Sequence, residues 1–269
     1  MKLSKVFICT AIISSLVMAK ENKKISIEGS TTVLPIAQIA AEEYMMANPD
    51  VDITVRGGGS GVGIASLIEG TCDIADASRS MKDKEIKTAV NKGVNPVAHV
   101  VAMDGIAVVI HPSNKLKEIS KEQLKAIYTG KYSNWSKLGG EKKKIIVISR
   151  DSASGTYEAF SKLTMDGERV RSDALLSASN RAVVTTVENT PGAIGYVGLG
   201  YITSKVKAIG VDGVQCTKAS ILSGEYPLSR PLFMYTNGNP CGQLKAFLDF
   251  VKSKEGQKLV EESGYVGLK

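Results

Sequence analysis

Three short stretches combine glycine with hydroxyl side chains in a way that suits the capture of a small anion. They are Gly29-Ser30-Thr31-Thr32, the run from Gly57 to Gly63 around Ser60, and Ser154-Gly155-Thr156. Each follows a strand-like run and opens a helix-like one. A helix start presents unpaired N–H groups and about half a positive charge, so it attracts anions. Glycine lets the backbone come close to a ligand, and Ser or Thr adds a hydroxyl donor. Two arginines stand beside these turns. Arg150 lies four residues before Ser154, and Arg79 follows Ser78 at the close of the third strand-like run. A guanidinium suits bidentate contact with a tetrahedral oxyanion. One Ser or Thr at a helix start is ordinarily only a cap. Three such turns with two adjacent arginines point instead to a shared site.

Other chemistry finds little support in the same residues. The run from Gly57 to Gly63 holds neither G-x-G-x-x-G nor the Gly-Lys-Ser/Thr ending of a P-loop. No serine lies in G-x-S-x-G, and neither His99 nor His111 has an evident acidic partner; both read as structural. The cysteines and histidines lack metal-ligand spacing. No catalytic residue, metal or cofactor is therefore expected. Aromatic residues make up only 6% of the chain, and the Lys142-Lys143-Lys144 run reads as a solvated loop, so a nucleic-acid partner is not expected either.

The elements that must carry the turns are legible in outline. Alternation over 24–28, 51–56 and 72–77 predicts strands, and helical spacing over 34–46, 64–69 and 82–91 predicts helices between and after them. Strand, loop and helix repeated three times predict a parallel sheet covered by helices. Two apolar β-branched runs, 97–103 and 106–111, are split by Asp104-Gly105. Ser120 with Gln123 predicts a capped helix over 120–128. Further strands are expected over 145–149, 193–197 and 231–236, and helices over 157–164, 243–252 and 256–263, with 174–187 partly helical. The chain of 269 residues, 43% hydrophobic, can bury a substantial core in one large or two modest domains.

Lys2 and Lys5 precede an apolar run over 6–18, and Val17-Met18-Ala19 offers small residues for cleavage. Residues 1–19 thus read as a secretory signal peptide removed on export, leaving a net charge of +5 from the full chain's +7. Cys72, Cys216 and Cys241 then remain, an odd number that leaves at least one free thiol; a Cys216–Cys241 pair stays open.

The segments 28–35 (EGSTTVLP), 56–63 (RGGGSGVG), and 150–156 in the form R-x-x-x-S-G-T closely resemble the periplasmic phosphate-binding proteins of phosphate ABC transporters. Segments 191–196 (PGAIGY) and 226–232 (YPLSRPL) look like later parts of that family. The resemblance implies an α/β fold of two lobes, each a mostly parallel sheet covered by helices, with the ligand in the cleft between them. It places lobe 1 at 20–103 plus 231–269 and lobe 2 at 104–230. It implies a non-catalytic monomer outside the cytoplasm that binds inorganic phosphate and docks on a membrane permease. The implied ligands are Thr31, Thr32, Ser60, Ser78 and Arg79 from lobe 1, and Arg150, Ser154, Gly155 and Thr156 from lobe 2. In one respect the chain departs from many relatives. They close the third strand with Ala-Ser-Asp, whose carboxylate accepts the proton of hydrogen phosphate and repels sulfate; here that stretch reads Asp76-Ala77-Ser78-Arg79. Asp73, Asp76 or Asp151 are the candidates to replace that group. Sulfate, molybdate or tungstate binding, or an exported phosphatase, are the alternative readings.

Overall fold

The computed structural model describes residues 23–268, so the expected signal peptide lies outside the described residues. Three βα units come first: β1 (Lys23–Gly29), α1 (Leu34–Ala47), β2 (Val51–Gly57), α2 (Ser60–Glu69), β3 (Ile74–Ala77) and α3 (Asp83–Asn91). The long β4 (Pro96–Ile110) leads to β5 (Glu118–Ile119), α4 (Lys121–Tyr128), β6 (Ile146–Arg150), α5 (Gly155–Thr164), β7 (Leu175–Ser177), α6 (Asn180–Glu188) and β8 (Ala193–Gly198). After β9 (Lys207–Val211) and α7 (Lys218–Leu222), β10 (Ser229–Asn237) runs back, and α8 (Gly242–Lys252) and α9 (Lys254–Glu262) finish the chain.

The sheet order is β2-β1-β3-β10-β4-β8-β6-β7, with β9 also on β4. β2, β1 and β3 are mutually parallel, as are β8, β6 and β7. Between these two parallel groups lie β10 and β4, antiparallel to each other. β4 pairs with β10 through Gly105 and with β8 from Ile106 onward. Asp104-Gly105 therefore does not separate two strands. It is the point at which one continuous strand leaves the first half of the sheet for the second. A glycine is needed there, because a Cβ on Gly105 would lie 2.6 Å from the Cys216 sulfur.

Each half has its own core. Ile25, Ile27, Ile36, Ile53, Leu232, Met234 and Phe247 pack under α1, α8 and α9, while Ile106, Val108, Tyr128, Trp135, Phe160 and Tyr196 pack in the other half. The structure is thus a two-lobed α/β protein, with parallel trios joined by antiparallel crossing strands. Ser120 caps α4 as expected, its hydroxyl accepting from Gln123 N while Gln123 answers to Ser120 N. α2 starts four residues earlier than the spacing predicts, at Ser60, because Gly61 and Gly63 are helical; a Cβ on Gly63 would meet the Glu28 carbonyl at 2.2 Å. The stretch over 174–187 is strand β7 followed by α6, since Ser179 caps the helix by accepting from Ala182 N. The three cysteines among the described residues are free: Cys72 and Cys216 are buried and Cys241 is exposed.

Candidate functional site

The three glycine-hydroxyl turns meet where the lobes face each other. β1, β6 and their neighbours end at this junction, so the helices that follow start there. Ser30 holds the first turn, its hydroxyl accepting from Thr32 N at 3.1 Å and its backbone N–H donating to Asp76 O at 2.8 Å. Ser154 caps α5 by accepting from Tyr157 N at 3.2 Å. The N–H groups of Gly155 and Thr156, the first two residues of α5, then have no intrahelical acceptor within reach.

Across the junction, Thr32 Oγ1 lies 2.9 Å from Thr156 Oγ1. Ser60 Oγ accepts from Ser78 N at 3.0 Å and lies 3.4 Å from Ser78 Oγ. Gly155 sits against both serines; a Cβ there would be 2.2 Å from Ser60 Oγ and 2.9 Å from Ser78 Oγ. Gly61 N donates to Ala153 O at 2.9 Å. Thr31, Thr32, Ser60, Ser78, Ser154 and Thr156 are all buried. Seven of the nine residues singled out by sequence therefore gather in one place.

Arg150 ends β6, the strand that leads into the third turn. Its Nε donates to Ser177 O at 2.9 Å and its Nη2 to Ala178 O at 3.0 Å, while the buried Nη1 has no hydrogen-bond partner. Its backbone N–H donates to the Tyr196 hydroxyl, and the Tyr196 ring stacks on Phe160 at 4.0 Å, which fixes the strand end. Burial lowers the pKa of Arg150, and the nearby Arg230 adds to this.

Arg79 is the exception. Its Nη1 and Nη2 grip Glu85 at 2.8 and 2.7 Å, Nη1 also donates to Ser80 O, and Nε lies 2.9 Å from Glu158 Oε2. Burial works against its charge, but the Glu85 hydrogen bond and the charges of Glu158 and Glu85 outweigh this and raise its pKa. The guanidinium expected at the anion is thus engaged by carboxylates.

Four residues at the junction were not foreseen. Asn180 Nδ2 donates to Thr31 Oγ1 at 3.0 Å and Thr32 Oγ1 at 3.1 Å, and its Oδ1 accepts from Gly198 N. Tyr201 donates to Thr31 O at 2.6 Å. Arg230, on β10, reaches Thr156 Oγ1, Ser78 O and Asp104 of β4, with Nη2 2.8 Å from Asp104 Oδ2. Burial raises the pKa of Asp104, opposed by Arg230 and by the Leu199 N–H. The Arg-Pro within 226–232 and the Asp-Gly at 104–105 were visible signals, but only the pairing of β4 with β10 brings them together.

Asp76 completes the inventory. It is 1% exposed, neither carboxylate oxygen has a hydrogen-bond partner, and burial holds its pKa well above the usual carboxylate range. On the sheet it lies between Gly29 of β1 and Met234 of β10. Of the other two carboxylates, Asp73 accepts from Ser26 and Asp151 accepts from Ala153 N.

Comparison with known proteins decides the family. Residues 18–255 match the PBP superfamily domain. The phosphate-binding protein PstS of Bacillus subtilis is 37% identical over 252 residues, which span 92% of this chain and 81% of that one. This chain belongs to the PstS phosphate-binding proteins. The PstS of Borreliella burgdorferi is 34% identical, with 93% and 92% of the two chains covered. Among solved structures, a substrate-binding protein from Clostridium perfringens with bound phosphate superposes with a TM-score of 0.86 at 33% identity, covering 92% of this chain and all of that one. An ABC-type phosphate transport receptor from Vibrio cholerae gives 0.76 at 33% identity over 91% of this chain.

Proposed function

We propose that this protein captures inorganic phosphate between its two lobes outside the cytoplasm and delivers it to the permease of an ABC transporter. Lobe 1 is 20–103 plus 231–269, and lobe 2 is 104–230. The observation that carries this reading is the buried meeting of hydroxyl and amide groups from three separate turns; the buried, unpartnered Nη1 of Arg150 is the guanidinium donor that the reading assigns to the anion. The hydroxyls of Thr31, Thr32, Ser60, Ser78 and Thr156, the N–H groups of Gly155 and Thr156, and Arg150 form the ligand set; Ser154 holds the α5 start in place. Arg79 is left out of it. Neutral donors supply most of the contacts, so the anion trades its water shell for fixed dipoles, and one guanidinium offsets part of its charge.

Asp76 takes the place of the absent Ala-Ser-Asp carboxylate. Its burial favours the protonated form, and a carboxyl and a hydrogen phosphate can share one proton in a single hydrogen bond. Sulfate carries no proton to share, so it binds only when Asp76 brings its own. Selectivity for phosphate over sulfate therefore rises with pH.

Several residues speak against a hydrolytic role. Ser60 and Ser154 each accept a backbone N–H, His99 bonds to Thr236, and His111 bonds to Ser113, so no serine on the turns faces an imidazole. Isothermal titration with phosphate, sulfate, molybdate and tungstate tests the assignment. Phosphate should bind at about 1 μM or tighter, roughly 8 kcal/mol. Absence of heat with every oxyanion would refute it, and tighter binding of another oxyanion would reassign the ligand.

A further inference from the structure

We propose that Glu158 is a positioning residue for capture. It couples lobe closure to anion affinity by meeting Arg79 and Lys82 across the cleft, and the inference rests on the phosphate-capture reading above.

Glu158 is the fourth residue of α5, within the first helical turn after Gly155 and Thr156, so its carboxylate stands on the same helix start that faces the anion. A negative charge there competes with a bound anion for the positive end of the helix. In the closed arrangement that charge is neutralised. Glu158 Oε2 lies 2.9 Å from Arg79 Nε and 2.8 Å from Lys82 Nζ, both supplied by the segment between β3 and α3 on the opposite lobe. Glu85 holds Arg79 in place from within lobe 1, bonding both Nη atoms, and also accepts from Lys82 N. The Arg79–Glu85 pair sits ready on one lobe, and Glu158 joins it only when the lobes meet.

The same contact has two consequences. It adds an ion pair to the closed form, with side-chain exposures of 8% for Arg79 and 18% for Glu158. It also removes the carboxylate's opposition to the anion at α5. When the lobes part, the pair is lost and Glu158 repels the anion, which hastens release. Closure and phosphate binding thus favour each other without Glu158 or Arg79 touching the ligand. The pair borders a cavity of about 750 Å³ that Ser78, Arg79, Glu158 and Arg230 help to line, so dissolved salt can reach it.

Stopped-flow phosphate binding to the full protein and to Glu158→Gln tests this. The glutamine keeps the side-chain shape, and a thermal melt establishes that the variant is folded. Phosphate release should be faster by about tenfold, with the association rate not reduced. In wild type, release should quicken as KCl rises from about 50 to about 500 mM, and Glu158→Gln should flatten that response. Lys82→Met, at a half-exposed site, should change release in the same direction but less. Unchanged release and an unchanged salt response in Glu158→Gln would overturn the proposal; so would a slowed association as its sole effect. Should wild type bind no phosphate, the capture reading fails on its own. The latch is then read by small-angle scattering at low salt, where Glu158→Gln must enlarge the radius of gyration and an unchanged radius overturns it.

Discussion

Gly155→Ala isolates lobe closure from folding. Gly155 begins α5 on one lobe, and its nearest neighbours, Ser60 and Ser78, belong to the other. An added Cβ would lie 2.2 Å from Ser60 Oγ, where ordinary contact begins at 3.4 Å, so the α5 start must retreat by about 1.2 Å. That retreat stretches the 2.9 Å Thr32–Thr156 and 3.0 Å Arg230–Thr156 bonds to about 4 Å, beyond hydrogen bonding. The anion loses its grip on the Gly155 and Thr156 amides in the same step. One neutral bond at about 1 kcal/mol and one charge-assisted bond at about 2 kcal/mol together give about 3 kcal/mol. This is a loss of about 100-fold in phosphate affinity. The backbone at Gly155 is not left-handed, so alanine adds no backbone strain and the variant should still fold, its phosphate-free melt lowered by no more than the two lost bonds. Titration calorimetry paired with a phosphate-free melt reads both quantities. Phosphate affinity within threefold of wild type would refute the reasoning, because it would mean that the lobes need not approach this closely.

Four other substitutions probe separate parts of the site. Arg150→Ala should reduce phosphate affinity by at least about 100-fold, whereas Ser154→Ala should lose about tenfold and about 1 kcal/mol of stability with its cap; equal small losses in calorimetry would show that Arg150 does not meet the anion. The native state binds the Asp76 proton more tightly than the unfolded chain does, so wild-type stability falls as pH rises from about 4 through the raised native pKa. Asp76→Asn should lack that slope in melts across the pH range, and should also lose the pH-dependent rejection of sulfate. Asp104→Ala leaves Arg230 buried without its carboxylate and should cost about 3–5 kcal/mol, seen as a melting point lower by about 10 °C; an unchanged melt would mean that water or another group compensates the arginine.

The turns were legible because their chemistry is local. Glycine, hydroxyl and helix start lie within a few residues of one another, and the sequence put each of the three turns just ahead of a helix. What escaped the sequence depends on which strands lie side by side. Arg230 and Asp104 stand 126 residues apart and meet only through the β4–β10 pairing. Asn180 reaches Thr31 across 149 residues, from a stretch over 174–187 expected only to be partly helical. Arg79 differs for the opposite reason: its neighbours in sequence suggest an anion, but Glu85, six residues on in the first turn of α3, binds its guanidinium. Asp104-Gly105 read as a break between two strands because the pair resembles a turn, and only the packing of Cys216 against Gly105 explains the glycine otherwise.

The return of β10 to the first lobe has a consequence for how the chain matures. Leu232, Met234, Phe247, Leu248, Val251, Val260 and Tyr265 all contribute to the core that the opening βα units share. Until these final forty or so residues leave the ribosome, β3 is an unpaired edge and α1 rests on half a core. The core of the second half depends less on that segment, drawing mainly on contiguous strands and helices and only Val266 from beyond them. The segment from β10 onward therefore completes the core begun by β1 to β3, and until it is made the edge of β3 stays open to pairing with another strand.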